Sequence, residues 1–182
     1  MRLKKTSEEV LYVDEPVVKF DLRDIDYLKK QSHLNSRQRL RFCAHRDVSS
    51  DLHEMMIAHQ KGAYVRPHKH LGKIESMHIV EGIVDVALFD DKGIITDIIE
   101  MGDYSSGRKF YYRISDPVYH TLLIRSDVLV FHETVNGPFS RDTMVFAPWS
   151  PDEKEDPKAA DEYMKFLSQE ILKYKKAIGD QK

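Results

Sequence analysis

The chain has 182 residues, 41% hydrophobic and 32% charged, with a formal net charge of −2. That is the composition of one globular domain with one sizeable core, and near-cancelled charge argues against a broad surface for nucleic acid or anionic membrane. No run approaches the roughly 18 apolar residues of a membrane-spanning helix.

Residues 1–40 read as an N-terminal arm with short apolar pairs, Leu11-Tyr12 and Val17-Val18, and one short helix. Asp21 is a good N-cap, and Leu22, Ile25 and Leu28 then fall on one side of that helix. Residues 41–150 read as a run of short strands rich in Val, Ile, Phe and Tyr, at 55–58, 63–70, 76–81, 84–89, 94–99, 111–114, 120–125, 128–133 and 143–147. Turn signals separate them at Gly62, Glu81-Gly82, Asp90-Asp91-Lys92-Gly93, Asp116-Pro117 and Asn136-Gly137-Pro138. Closely spaced short strands with such punctuation predict a sandwich or barrel. Residues 151–182 change character. Asp156-Pro157 starts a helix, Tyr163, Phe166, Leu167, Ile171, Tyr174 and Ile178 recur at helical spacing, and Gly179 is a stop. That apolar stripe is expected to pack on the barrel or on a second subunit, and a homodimer is the expected assembly.

The chain opens with MRLKKTSEEVLYVDEP, which lacks the apolar core and small-residue cleavage site of a secretion signal. Cys43 is the only cysteine, so no internal disulfide is expected and a reducing cytoplasm is the expected compartment.

The residues that carry chemistry begin at Gly62. Alternate residues of a strand share a face, so His68 and His70 project together. The turn Leu71-Gly72-Lys73-Ile74 lets Glu75 open the next strand and reach back to the same point, and Gly82 turns the chain again. Imidazole nitrogens with one carboxylate suit a divalent iron, zinc, manganese or nickel ion. Further on, Asp116-Pro117-Val118-Tyr119-His120 offers a third histidine on a strand whose Leu122 and Ile124 share its face.

The pattern Gly62, five residues, His68-x-His70, four residues, Glu75, six residues, Gly82 resembles the first motif of the cupin superfamily, and His120 resembles the histidine of its second. That second match keeps the proline and histidine, but Val118 or Tyr119 stands where glycine is usual and the trailing asparagine is absent. From Arg41 to Glu153 the chain is similar to the WbuC-type cupin-fold metalloproteins, often encoded with bacterial surface-polysaccharide genes. The matching pieces are Arg41 and His45 in RFCAHRD, 64–70, 89–93, His132-Glu133 through Phe139, and 146–153. Cys43 and His53-Glu54 depart from that pattern. The resemblance implies a single cupin barrel, a double-stranded β-helix of jelly-roll type, holding one divalent metal on His68, His70, Glu75 and His120.

Tyr64 and Arg66 share the parity of the two histidines and are expected to face the cavity as substrate-binding residues. Arg66 either grips an anionic group or pairs with an internal carboxylate. Glu133, with Phe131 and Val135 on its face, is a candidate general base if that face is inward; otherwise His132 points in. His33, His45, His53 and His59 read as structural or exposed. His78, of opposite parity to Glu75, is excluded as a ligand. Tyr111 and Tyr112 read as packing and Cys43 as a small buried hydrophobe.

A metal in a partly apolar barrel is a small-molecule site. The expected ligand is anionic or sugar-like, with no nucleic-acid or membrane partner. The expected function is action on a small sugar-derived or acidic metabolite, by isomerisation or epimerisation. The alternatives are a non-haem iron dioxygenase and a non-catalytic, metal-containing binding or regulatory cupin.

Overall fold

The structure is a computed structural model and describes residues 1–179. Strands β1 (Leu3–Ser7) and β2 (Val10–Val13) form an antiparallel pair. Helix α1 (Leu22–Leu34) follows, and its start is dictated by Asp21. The Asp21 carboxylate accepts from the amides of Arg23 and Asp24, and the Asp24 carboxylate takes the Asp21 amide, a reciprocal capping box. Ile25 and Leu28 are buried, but Leu22 is 71% exposed. The expected stripe therefore begins one turn later, at Ile25, while Phe20 ahead of the helix stacks on Phe42 of the sheet.

Strand β3 (Arg39–Cys43) lies between β2, to which it is parallel, and β4 (Leu52–Gln60), to which it is antiparallel. Then come β5 (His68–His70), β6 (Glu75–Glu81), β7 (Ile83–Phe89), β8 (Ile95–Gly102), β9 (Tyr111–Ile114), β10 (Tyr119–Ile124), β11 (Val128–Asn136) and β12 (Met144–Phe146). Two sheets result, ordered β1-β2-β3-β4-β11-β6-β9 and β12-β5-β10-β7-β8. This is the mainly β, two-sheet barrel of jelly-roll type that the sequence predicts. β1, β2 and β3 have no counterpart in that prediction. The expected strand 63–70 is a strand only at His68–His70, since Ala63–Pro67 run outside the ladder and Pro67 has no amide to donate to it.

Alternation builds four layers. Met55, Ile57, Met77, Ile79, Leu129 and Phe131 of the larger sheet meet Val84, Val86, Leu122 and Ile124 of the smaller one to fill the interior. The opposite parity of the larger sheet, including Leu40, Phe42, Ala58 and Val130, packs under α1. The outer face of the smaller sheet, with Ala87, Phe89, Tyr119 and Leu123, receives Leu167 and Ile171 of helix α2 (Pro157–Gly179). Each of those two side chains, fully buried, contributes about 1.5–3 kcal/mol. The C-terminal stripe thus packs on its own barrel, although Phe166 and Ile178 stay exposed. Buried Asp85 fastens the helix further through Lys175, at 2.8 Å, and also holds Arg125. Gly179, the expected stop, is the last described residue of the helix, and 180–182 lie outside the described residues.

Gly62 and Gly82, which bracket the histidine motif, have φ of 93° and 96°. At Gly82 an added Cβ would sit 2.3 Å from the Val128 carbonyl oxygen, a contact with backbone that cannot move aside. Gly82→Ala is expected to lower stability by at least about 2 kcal/mol. Gly72→Ala, where φ is 64° and no atom lies within 4 Å, should cost only about 1 kcal/mol. Urea unfolding of both variants checks the pair, and equal midpoints would contradict it.

Candidate metal centre

β5 and β10 are antiparallel neighbours with His68 opposite His120, so two imidazoles come together by register. His70 shares the His68 face two residues on. Glu75 reaches them from β6 in the facing sheet. Ligand atoms of His68, His70, Glu75 and His120 all lie within 4.8 Å of one another. His70 Nε2 is 3.1 Å and His120 Nε2 3.5 Å from the Glu75 carboxylate.

Neighbouring groups orient the donors. His68 Nδ1 lies 2.8 Å from the Arg66 carbonyl and His120 Nδ1 3.0 Å from the Val118 carbonyl. In each ring Nδ1–H donates to that carbonyl, which leaves Nε2 free to ligate. The Tyr112 hydroxyl donates to Glu75 Oε1 at 2.9 Å. Burial pushes His68 down to about 3, with the neighbouring His120 acting in the same sense, so it is neutral at physiological pH. Burial would raise Glu75, but His120 and His70 outweigh it and hold the carboxylate well below its usual range. His120 is the converse: burial would lower it, yet Glu75 raises it. Three imidazoles and one carboxylate converging in this way fit a divalent first-row metal.

The set stands in a cavity of about 580 Å³. Glu133 lines it: its ladder neighbours Met55 and Met77 are interior residues. Burial, helped by the Glu75 charge, pushes its carboxyl up to about 8. His132 has the other parity and lies 3.9 Å from Glu54. Arg66 also lines the cavity, but its guanidinium is committed. It pairs with Asp152 at 2.7 Å, donates to Ser150 and lies over the Phe146 ring. Tyr64 is not among the cavity residues. Its hydroxyl donates to the Pro151 carbonyl and its ring meets Tyr163 of α2 edge-on. Parity misplaces Tyr64 because residues 63–67 are not a strand: successive Val65 and Arg66 both reach the cavity.

Other cavity residues were read differently from sequence. His45, His53 and His59 are buried and line the cavity, the first two stacked at 4.0 Å. His33 and His78 are exposed. Cys43 lines the cavity as a buried thiol pushed up to about 11 by burial. Tyr112 was taken as packing, and its bond to Glu75 depends on the β6–β9 register, which carries no local signal. Arg41 was noted only within the family resemblance, and alternation along β3 would have placed it beside Cys43.

A family model described as a domain of unknown function (DUF6016) matches residues 20–101. No curated protein matches the chain. Among solved structures, a protein from Shewanella oneidensis is similar with TM-score 0.45 and 11% identity, over 57% of this chain and 66% of that one. Oxalate decarboxylase from Bacillus subtilis is similar with TM-score 0.44 and 19% identity, over 54% and 24%. The cupin domain of Schizosaccharomyces pombe Cnp3 is similar with TM-score 0.43 and 13% identity, over 54% and 64%. The chain spans less than two thirds of each of these proteins.

Proposed function

We propose that this protein is a metal-dependent cupin, of the WbuC type, that isomerises or epimerises a small sugar-derived or acidic metabolite. The observation that carries the reading is the convergence of His68, His70, Glu75 and His120 at a cavity of about 580 Å³, within the usual size of small-molecule sites. A divalent ion held by those four residues would supply Lewis-acid polarisation of a ligand oxygen. The chain's own residues do the rest. The side chains of Met55, Met77, Leu122 and Phe131 make the wall apolar and keep bulk water from the reacting carbon. Glu133, whose carboxyl burial pushes up to about 8, is suited to hold or take the proton that moves when a carbon beside a carbonyl is enolised. The link to surface-polysaccharide metabolism comes from the sequence resemblance. A homodimer is proposed from the apolar residues of α2 that its own barrel leaves exposed, Phe166 and Ile178.

Deuterium incorporation tests the activity. Metal-replete protein is incubated in heavy water with hydroxy acids, keto acids and sugar phosphates, and proton spectra are followed. Exchange beside a carbonyl, lost on chelation and in Glu133→Gln, is the expected result. Oxygen consumption with any of these compounds would replace the isomerase with a dioxygenase. Full metal content without turnover of any compound would leave a binding protein.

A further inference from the structure

Four arginines line the cavity, and three are already engaged. Arg37 pairs with Glu9 at 2.8 Å and Glu153 at 2.7 Å. Arg39 pairs with Glu9 at 2.7 Å and donates to the Tyr64 carbonyl. Arg66 pairs with Asp152. Among the described residues, Arg41 alone of the four has a guanidinium with neither a salt bridge nor a hydrogen bond. Its neighbours Leu40 and Phe42 turn away under α1, so strand alternation sends Arg41 to the cavity side with Arg39 and Cys43. It is solvent-exposed there, at the rim.

The surroundings do not neutralise it. Arg41 stands opposite Ile57 on β4, with Met55 and His59 two residues to either side on the same face. His59 is a buried imidazole, neutral because burial and the nearby guanidinium push it down to about 3. The one carboxyl on the intervening floor, Glu133, makes no salt bridge with Arg41. Two lysines of the cavity also lack an ion pair among the described residues: Lys73, whose ammonium donates to the carbonyls of Gly137 and Pro138, and Lys154 beyond the last strand. A planar, permanently charged fork whose donors are all left open at the rim of a cavity is the arrangement that recognises an oxyanion. Arg41 stands two residues from Cys43 on the same face of β3, one step along the strand from the row that carries Glu133 toward the metal centre. One row runs Cys43, Met55, Glu133, Met77, Tyr112 across the sheet, and the Tyr112 hydroxyl bonds Glu75.

We propose that Arg41 binds the carboxylate or phosphate of a ligand whose other oxygen-bearing end lies at the His68–His70–Glu75–His120 centre, and that Arg66 serves instead to fasten the cavity wall. The proposal rests on the metal-dependent reading above and narrows its substrate to molecules carrying a hydroxyl or carbonyl at one end and an oxyanion at the other. Glu133 then faces the stretch of ligand between the two anchors.

The test is calorimetric titration of metal-replete wild type, Arg41→Gln, Arg41→Lys and Arg66→Gln with glycolate, malonate, glycerol 3-phosphate, inorganic phosphate and uncharged glycerol. Metal content and thermal midpoint are measured in every sample. Arg41→Gln should weaken the best anion at least about tenfold, the scale of a lost charge-assisted bond, with metal content unchanged. Arg41→Lys should restore part of the affinity, and glycerol should not sense the change. Whether malonate or the phosphates lose more identifies the anion. Metal-loaded Arg41→Gln binding every anion as wild type does would overturn the proposal, as would wild type binding none of them, or Arg66→Gln alone causing the loss at an unchanged thermal midpoint. Absence of metal from wild type would sink the metal-dependent reading instead. Phosphate titrated into chelator-treated protein would then still report on Arg41 by itself.

Discussion

His120→Ala is expected to leave the purified protein nearly free of metal, while wild type grown with ample metal carries about one divalent ion per chain. His120 is 4% exposed, lies on the central strand of its sheet, and is held by the Val118 carbonyl on one side and Glu75 on the other. No neighbour can swing in to replace its Nε2. His68→Ala should behave alike, since the two rings face each other across one register pair. Tyr112→Phe is the finer probe. It removes the 2.9 Å bond that orients Glu75 without touching a ligand, and should weaken metal affinity about tenfold, the low end for such supporting groups. Elemental analysis with chelator competition reads all three. Wild type without metal after metal-replete growth would refute the centre altogether.

In chelator-treated protein, Glu133→Gln should abolish a loss of stability that wild type shows as pH rises. Burial lifts the Glu133 carboxyl from 4.5 to about 8. A group whose folded value is raised adds stability that is fully present below its unfolded value and disappears as pH climbs through the folded one. Glu133 therefore favours the fold at about pH 4–5 and opposes it increasingly up to about pH 9. Each unit is worth about 1.4 kcal/mol, and local relaxation lowers the total, so a gap of about 2–4 kcal/mol at pH 9 is expected in favour of the glutamine variant. The two proteins should converge near pH 5. His120, raised by Glu75 first and by Glu133 only as a lesser cause, slopes in the same sense in both proteins, so the difference reports mainly on Glu133. Parallel stability curves for the two proteins would show that the carboxyl is better solvated than its surroundings imply.

Three of the four residues of the candidate metal centre follow from local rules in the sequence, whereas His120 was read from the family resemblance and joins them through the β5–β10 register. His68 and His70 follow from alternation, Glu75 from a short turn, and the flanking glycines from backbone that no other residue adopts cheaply. The capping box at Asp21 and the helix start at Asp156-Pro157 are local in the same way. What was misread is non-local. Tyr64 was assigned by parity along a strand that does not extend that far. β3 has alternating charge and apolar residues, but it becomes a strand by inserting between β2 and β4, which lie far from each other in sequence. His53 and His59 share the interior parity of Met55 and Ile57 on β4, which runs beyond both ends of the expected strand 55–58. The partner of Arg66 was open between an internal carboxylate and a ligand, and it lies in the segment after the barrel, at Asp152.

The links from Arg37 to both Glu9 and Glu153 join a residue near the beginning of the chain to one beyond the last strand. During synthesis this sets an order. All four side chains of the candidate metal centre have left the ribosome once β10 has emerged, whereas the rim around Arg41 lacks Asp152 and Glu153 until β12 and the stretch after it follow. A nascent chain thus completes the set His68, His70, Glu75 and His120 well before the salt-bridged mouth of the cavity can close around it.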